Sequence, residues 1–106
     1  MPLYDVSTIL VDMSNKPLER NDAPITMRDV FVEILTLNDP NAVLSGQEKL
    51  KRFLLAKEIY STEESIVLSI EDAAKIKELV GQYSSIIIVG QVFAFLEDRH
   101  GAVYNN

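Results

Sequence analysis

The side chains in this sequence that are able to carry chemistry are few and far apart. Its single histidine, His100, precedes Gly101 near the C-terminus, and the chain contains no cysteine. Without a thiol, nucleophilic hydrolysis would require a serine activated by that one histidine. A histidine so close to a chain end is more typical of a solvent-exposed position, because termini are commonly loosely held. The lack of cysteine also excludes disulfides and zinc-thiolate sites.

The carboxylates, serines and glycines form no catalytic pattern either. The 16 Asp and Glu residues fall at helix starts and exposed helix positions, where structural roles account for them. Ser45 and Ser69 are explained in the same way, as helix N-caps. The 4 glycines are scattered, so they build neither a phosphate-binding loop nor a dinucleotide-binding fingerprint. We therefore predict no catalytic residue, no cofactor and no enzymatic activity.

Residues 61–72 have to be tested as a calcium-binding loop. With Ser61 as the first position of an EF-hand loop, the remaining ligand positions fall on Glu63, Ser65, Val67, Ser69 and Asp72. The sixth position, however, is Ile66 where the turn requires glycine, and the twelfth is Asp72 where a longer, bidentate Glu is usual. The favoured alternative is two capped helices joined by a strand that pairs with the N-terminal hairpin. We predict no metal site.

The elements that would position any site begin with a β-hairpin in residues 1–24. Residues 6–13 mix β-branched and apolar residues, residues 14–17 follow with the turn formers Ser, Asn and Pro, and the chain is expected to return through residues 18–20. Residues 21–24 are expected to be a loop that ends the hairpin, because Pro24 lacks the amide proton that a central strand needs.

Residues 25–98 predict a core of four helices with one short strand. Three pairs of residues have N-cap spacing, namely Thr26 with Asp29, Ser45 with Glu48, and Ser69 with Asp72. The second of these pairs has the spacing of a reciprocal capping box. The apolar residues of the second helix predict its buried side, which is Leu50, Phe53, Leu54, Ile59 and Tyr60. Residues 66–68 predict the strand before the third helix.

The apolar run at residues 86–96 fits two structures. Its four β-branched residues favour a strand, whereas its length and its flanking polar residues favour a helix, which we prefer. Gln91 is its only polar side chain, and Gly90 would permit close approach of a neighbouring element. Such a helix is either the centre of the bundle or partly a subunit interface. Phe93 and Phe95 are therefore candidate partner-binding residues.

The net charge of −6 disfavours general binding to nucleic acid, whose phosphates attract clustered Lys and Arg. One local exception lies on the second helix, at Lys49, Lys51, Arg52 and Lys57. A solvated helix face is the simpler explanation of these charges. Lys49 and Arg52 are nevertheless the second pair of candidate partner-binding residues.

The predicted fold class is therefore α+β and mainly helical, with an N-terminal β-hairpin plus a four-helix bundle and a short strand between helices 2 and 3. A chain of 106 residues with 47% apolar content can bury one core, so we predict a single domain. It comprises the hairpin and loop (1–24), the helical core (25–98) and a flexible tail (99–106). No signal-peptide pattern and no membrane-spanning run is apparent, so the expected location is the cytoplasm.

Several segments resemble a family of small proteins encoded by tailed bacteriophages and prophages. They are TMRDV (26–30), LSGQEKLKRF (44–53), LAKEIY (55–60), LSIED (68–72), IKELV (76–80) and VGQ (89–91). The resemblance spans most of the chain and implies a phage setting in the host cell cytoplasm. The family has no established catalytic residues, so the resemblance implies no catalytic site.

Two classes of function follow from these observations. The first is a non-enzymatic phage protein that binds another protein, as a tail or head assembly factor or as a modulator of a host component. It is expected to bind a protein partner, with pairing to a second copy of itself as the other option, and to make no membrane contact. The alternative is a regulatory module that contacts nucleic acid, or a nucleic-acid enzyme, through the basic face of the second helix.

Overall fold

A computed structural model describes residues 3–97 of the chain. Its elements in chain order are β1 Leu3–Asp5, β2 Glu19–Arg20, β3 Ala23–Pro24, α1 Met27–Leu35, α2 Gly46–Tyr60, β4 Ser65–Val67, α3 Ile70–Tyr83 and α4 Ile86–Glu97. The predicted fold class, a mainly helical α+β fold with four helices and a strand between the second and third, is confirmed. The predictions for His100 and for the tail at 99–106 lie outside the described residues.

The helices begin at the predicted caps. Thr26 and Asp29 form a complete capping box at α1, with the Thr26 hydroxyl accepting from the Asp29 amide at 3.2 Å and the Asp29 carboxylate accepting from the Thr26 amide at 3.0 Å. At α2 the Ser45 hydroxyl accepts from the Glu48 amide at 3.1 Å. The predicted reciprocal bond is replaced there, because the Glu48 carboxylate accepts from Arg52 instead.

The hairpin lies further along the chain than predicted. β2 and β3 pair across the turn residues Asn21 and Asp22, whose φ angles are 55° and 64°. Asn and Asp tolerate this left-handed geometry better than most other residues, and it suits a two-residue hairpin turn.

The predicted return of the chain after residue 13 is present in short form, because Val11 bridges Pro17 and the Leu18 amide donates to the Leu10 carbonyl at 3.0 Å. Residues 6–18 nevertheless form only isolated bridges and no regular strand. Pro17 and Pro24 have no backbone amide proton, so neither residue can donate the hydrogen bond that would lengthen the strand pairing at its position.

The strand between α2 and α3 joins the N-terminal region to the helical core. β4 pairs with β1 in antiparallel register, with Tyr4 opposite Ile66. Pairing with the N-terminal region agrees with the prediction, although the partner strand precedes the predicted hairpin. Tyr4 and Ile66 face inward while their strand neighbours are exposed, so this small sheet covers one end of the core.

The core is built around α1 and α3, with α2 packed mainly on α1 and α4 packed mainly on α3. Its largest fully buried side chains come from all four helices, from the N-terminal segment and from the segment between β4 and α3. They include Leu10, Phe31, Ile59, Leu68, Ile76, Val80 and Val92. Within residues 3–97 no polar or charged side chain is fully buried. The two outer helices, α2 and α4, therefore each have a side that the core does not cover.

The apolar run at 86–96 is helical, but α4 is not the centre of the bundle. Val92 and Leu96 are buried, and the Phe95 ring lies 6.0 Å from the Phe31 ring between centroids. Ile86 at its start is 90% exposed. The predicted close approach at Gly90 is absent, because a Cβ atom added there would meet no neighbouring atom within 4 Å. Most of the apolar content of α4 is thus explained by packing on α3, α1 and β1.

Candidate protein-binding surface

Helix α2 has apolar side chains on two opposite sides. Ala56 and Ile59 are buried against the core, whereas Leu50, Phe53 and Leu54 are 49%, 54% and 55% exposed. At about 100° per residue, Leu50 and Ile59 point in opposite directions and cannot both reach the core. The prediction that α2 buries Ile59 is confirmed.

The prediction of burial is wrong for the other α2 positions, which are Leu50, Phe53, Leu54 and Tyr60. The physical reason is that α2 lies at the edge of the bundle and is covered on one side only.

We call Leu50, Phe53 and Leu54 the outer α2 face. Their spacing of i, i+3 and i+4 places them side by side on the helix surface. Their exposure leaves on the order of 300 Å² of apolar side chain in water, close to the largest patch on many monomers. Leu37 and Val43, in the loop before α2, are exposed as well. A contiguous apolar surface of this kind is typical of a protein contact site.

A groove of about 310 Å³ lies between this loop and α2. We call it the loop groove. Leu37, Leu44 and Phe53 provide apolar walls, and Lys49 and Arg52 line it from α2. Phe53 belongs to both surfaces, so the loop groove continues the outer α2 face toward the end of α1.

The loop wall of this groove is fixed by Asp39. The Tyr83 hydroxyl donates to its carboxylate at 2.5 Å, and the Asn41 amide donates to the other oxygen at 2.8 Å. The hydrogen bond from Tyr83, followed by that from the Asn41 amide, lowers the pKa of Asp39. The hydrogen bond between Tyr83 and Asp39 also raises the pKa of Tyr83. Because Tyr83 ends α3, this contact ties the loop to the central part of the bundle.

Arg52 is held against its own helix. Its Nε donates to Glu48 Oε2 at 2.9 Å, and the side chain of Arg52 is only 13% exposed. Lys75 of α3 lies 3.7 Å from the same carboxylate. The hydrogen bond from Arg52, helped by the charge of Lys75, lowers the pKa of Glu48. Arg52 thus contributes to the floor of the loop groove and to the join between α2 and α3.

The remaining α2 cations are Lys49, Lys51 and Lys57, and all three are exposed. None of them has an ion pair with another residue in the 3–97 range. Lys57 lies one turn beyond Phe53 on the outer α2 face, whereas Lys49 and Lys51 flank that face on either side. The predicted basic cluster is therefore spread around the helix and interleaved with apolar side chains.

The other two candidate residues, Phe93 and Phe95, lie on a different helix. The Phe93 ring lies beneath Lys77, with the ammonium nitrogen 5.0 Å from the ring centroid. The Phe95 ring packs on Tyr4 with 5.6 Å between centroids. The structure thus brings Lys49 and Arg52 together at the loop groove. It places Phe93 and Phe95 in contacts that stabilise the position of α4.

The segment considered for calcium is held by other contacts. Residues 65–67 form β4, and the Arg28 guanidinium donates to the Thr62 carbonyl from Nε at 2.9 Å. Within the described range, 3–97, no group of three or more His, Asp or Glu side chains is placed to hold a metal ion. No helix in that same range has the length and apolarity needed to cross a membrane.

Comparisons of the chain with protein-family models, curated proteins and solved structures give no match. The resemblance to small phage proteins therefore stays a prediction. The chemistry of the outer α2 face and the loop groove supplies the functional evidence.

Proposed function

We propose that this protein is a non-enzymatic module that binds another protein through the outer α2 face and the loop groove. One observation carries the proposal, namely that α2 exposes Leu50, Phe53 and Leu54 on the side opposite its buried residues. Folding gains nothing from large apolar side chains in water. A partner that covers them gains roughly 25 cal/mol for each Å² of apolar surface removed from water.

The same surface favours a protein over the alternative partner, a nucleic acid. Arg52 is engaged by Glu48, which weakens its attraction for phosphate. A phosphate backbone would also leave Leu50 and Leu54 without apolar contacts. The net charge of −6 repels a polyanion over longer distances.

The resemblance to proteins of tailed bacteriophages supports a specific setting for this role. A tail or head assembly factor and a modulator of a host component both act by binding a protein, and both would work in the host cell cytoplasm. The two roles differ in the partner. An assembly role predicts a virion structural protein at the outer α2 face, and a host-directed role predicts a host protein.

The test is site-specific photo-crosslinking in phage-infected host cells that produce the protein, so that host proteins and virion proteins are both present. Phe53 is replaced by benzoylphenylalanine, and Ile86 is replaced separately as the matched control, since it is an exposed apolar residue on α4. We expect an adduct from position 53 that disappears when Leu50→Asp is added. No adduct from position 53, or an adduct only from position 86, would contradict the proposal.

A further inference from the structure

We infer that a second copy of this chain covers the outer α2 face of the free protein, with the two α2 helices packed antiparallel across a two-fold axis. This inference concerns the same surface as the proposed function and goes beyond it, because it states what occupies that surface before another protein binds. It follows from three features of α2 that complement themselves when the helix is reversed. They are the charges on one flank, the loop groove on the other flank and the apolar ridge between them.

The charges around the outer α2 face are balanced, as a surface that pairs with itself requires. Five carboxylates and five cations lie on this face, along the loop groove and along a second groove of about 510 Å³ between α2 and α3. The carboxylates are Asp39, Glu48, Glu58, Glu71 and Asp72, and the cations are the four of α2 together with Lys75. Two copies of such a surface meet without net repulsion, whereas a partner charged strongly in either sense would find half of these groups opposed to it.

One flank of α2 carries a pair of charges that fits its own reversed image. Lys51 and Glu58 both line the groove between α2 and α3. They are about 10 Å apart along the helix axis, and neither has an ion pair within residues 3–97. A two-fold axis that passes between Leu54 and Leu55 is equally far from both charges along the helix. It therefore places Lys51 of each copy directly opposite Glu58 of the other, and two ion pairs form.

The opposite flank of α2 has both a groove and a side chain that suits it. Lys49 and Phe53 line the loop groove, and Tyr60, which is 71% exposed, lies further along the same flank. The same two-fold axis brings Tyr60 of one copy opposite Lys49 of the other, beside the loop groove. The groove volume of about 310 Å³ accommodates an aromatic ring, since a cavity of about 150 Å³ holds benzene. The second copy thus covers an aromatic side chain that a single copy leaves in water.

The ridge between the flanks supplies enough area for a reversible dimer. It consists of Leu50 and Leu54, and with Phe53 each copy contributes on the order of 300 Å² of apolar surface. Because a little over half of an interface is apolar, the whole contact buries about 1,000–1,200 Å², the low end for specific interfaces. A contact of this size is typical of a micromolar dimer, which another protein is able to displace.

Single cysteines test the register in the full chain, which has no cysteine of its own. Leu54→Cys places a thiol next to the two-fold axis, where the facing Cα atoms lie within the roughly 4.4–6.8 Å that a disulfide needs. Leu50→Cys is the matched control, because Leu50 is similarly exposed but is about 13 Å along the axis from Leu50 of the other copy. With oxidised glutathione, we expect disulfide-linked dimer to form from Leu54→Cys roughly tenfold faster or more.

Charge reversal tests the two ion pairs. Lys51→Glu and Glu58→Lys each place like charges opposite one another, so each should weaken dimerisation at least several-fold in analytical ultracentrifugation. The double variant Lys51→Glu/Glu58→Lys restores opposite charges and should return the dissociation constant to within about threefold of the original. Ile86→Asp alters an exposed apolar residue of α4 and should leave the dissociation constant unchanged.

Three results would overturn the inference. They are a monomer at every concentration up to the millimolar range, equal rates of disulfide formation at positions 50 and 54, and a double reversal that dimerises no better than the single reversals. If the purified chain is monomeric but position 53 crosslinks a different protein in infected cells, the proposed function stands and only the dimer is wrong. If position 53 crosslinks nothing except a second copy, the dimer stands and the proposed function fails.

Discussion

At the scale of single residues, a few polar contacts join segments that are distant in the sequence. Gln91 of α4 makes two of them with the backbone of Val11. Its side-chain oxygen accepts from the Val11 amide at 2.8 Å, and its nitrogen donates to the Val11 carbonyl at 2.7 Å. Gln91 is the only polar side chain in the apolar run. It provides hydrogen-bond partners for the backbone amide and carbonyl of Val11, which lies in a segment without a regular strand partner.

We predict that Gln91→Ala destabilises the fold by about 1–3 kcal/mol, because the amide and carbonyl of Val11 lose their partners in a partly buried position. Urea denaturation followed by circular dichroism measures the change in the free energy of unfolding. The matched control is Gln47→Ala on the exposed side of α2, which should change that free energy little. Equal effects of the two substitutions would show that the Gln91 contact contributes nothing.

The Asp39–Tyr83 contact predicts a pH dependence with a defined sign. The pKa of Asp39 is lowered in the folded state by the bond from Tyr83, so its contribution is present above the unfolded pKa and is lost as pH falls through the folded pKa. The pKa of Tyr83 is raised by the same bond, so its contribution is present below its unfolded pKa and is lost as pH rises through the folded one.

Tyr83→Phe should therefore raise the pKa of Asp39 toward its ordinary value. It should also reduce the loss of stability in acid. Carboxyl ¹³C titration by NMR measures the pKa directly. Asp5 is the internal control, because hydrogen bonds from Ser7 lower its pKa independently of Tyr83. An unchanged Asp39 pKa in the variant would mean that the bond to Tyr83 does not form in solution.

At the scale of elements, the two outer helices differ in how they use their apolar residues. α4 buries Val92 and Leu96 and packs Phe95 on Phe31, so most of its apolar run stabilises the fold. α2 buries Ala56 and Ile59 and partly buries Leu55. Its other large apolar side chains face water, and these are Leu50, Phe53, Leu54 and Tyr60. The greater apolarity of α4 in the sequence therefore does not make it the better docking surface.

Gly90→Ala should stabilise the protein by about 0.5–1 kcal/mol, because Gly90 is inside α4 and glycine has a lower helix propensity than alanine. A Cβ atom there meets nothing within 4 Å. The comparison is Gly81→Ala in α3, where the Cβ would lie 3.4 Å from the Phe93 ring, so a smaller gain is expected. Thermal unfolding ranks the two variants, and a loss of stability in Gly90→Ala would show that α4 is closely approached after all.

At the scale of the whole molecule, one apolar core and one apolar surface coexist. The core lies between α1 and α3, and the surface lies on the far side of α2. This arrangement predicts that replacing a phenylalanine in the core destabilises the protein much more than replacing a phenylalanine on the surface of α2.

Phe31→Ala should cost about 3–5 kcal/mol, because Phe31 is fully buried and its removal leaves a cavity. Phe53→Ala should change stability by less than about 1 kcal/mol, since more than half of its side chain is exposed. Urea denaturation measures both. If Phe53→Ala were as costly as Phe31→Ala, the outer α2 face would be part of the core, and the proposed binding surface would be wrong.

The sequence by itself determined what depends on neighbouring residues along the chain. The caps at Thr26, Ser45 and Ser69 start three helices at the predicted positions, because a cap bonds to amides only a few residues away. The helix at residues 86–96 was also favoured by local features, namely the length of the apolar run and its polar flanking residues. Two residues of the candidate surface, Lys49 and Arg52, could also be identified from the sequence, because they are cations on one predicted helix.

Only the tertiary structure decided which side of α2 meets the core and which neighbours each strand finds. Leu50 and Ile59 are both apolar on a helix, and apolar spacing alone does not tell which of two opposite sides a neighbour will cover. The hairpin at Asn21 and Asp22 is a local feature by contrast, because these two turn residues join β2 directly to β3. The position of α4 at the edge of the bundle and the pairing of β1 with β4 have the same origin as the choice of the buried side of α2. They depend on contacts between distant segments, and those contacts are selected by how well the assembled surfaces pack.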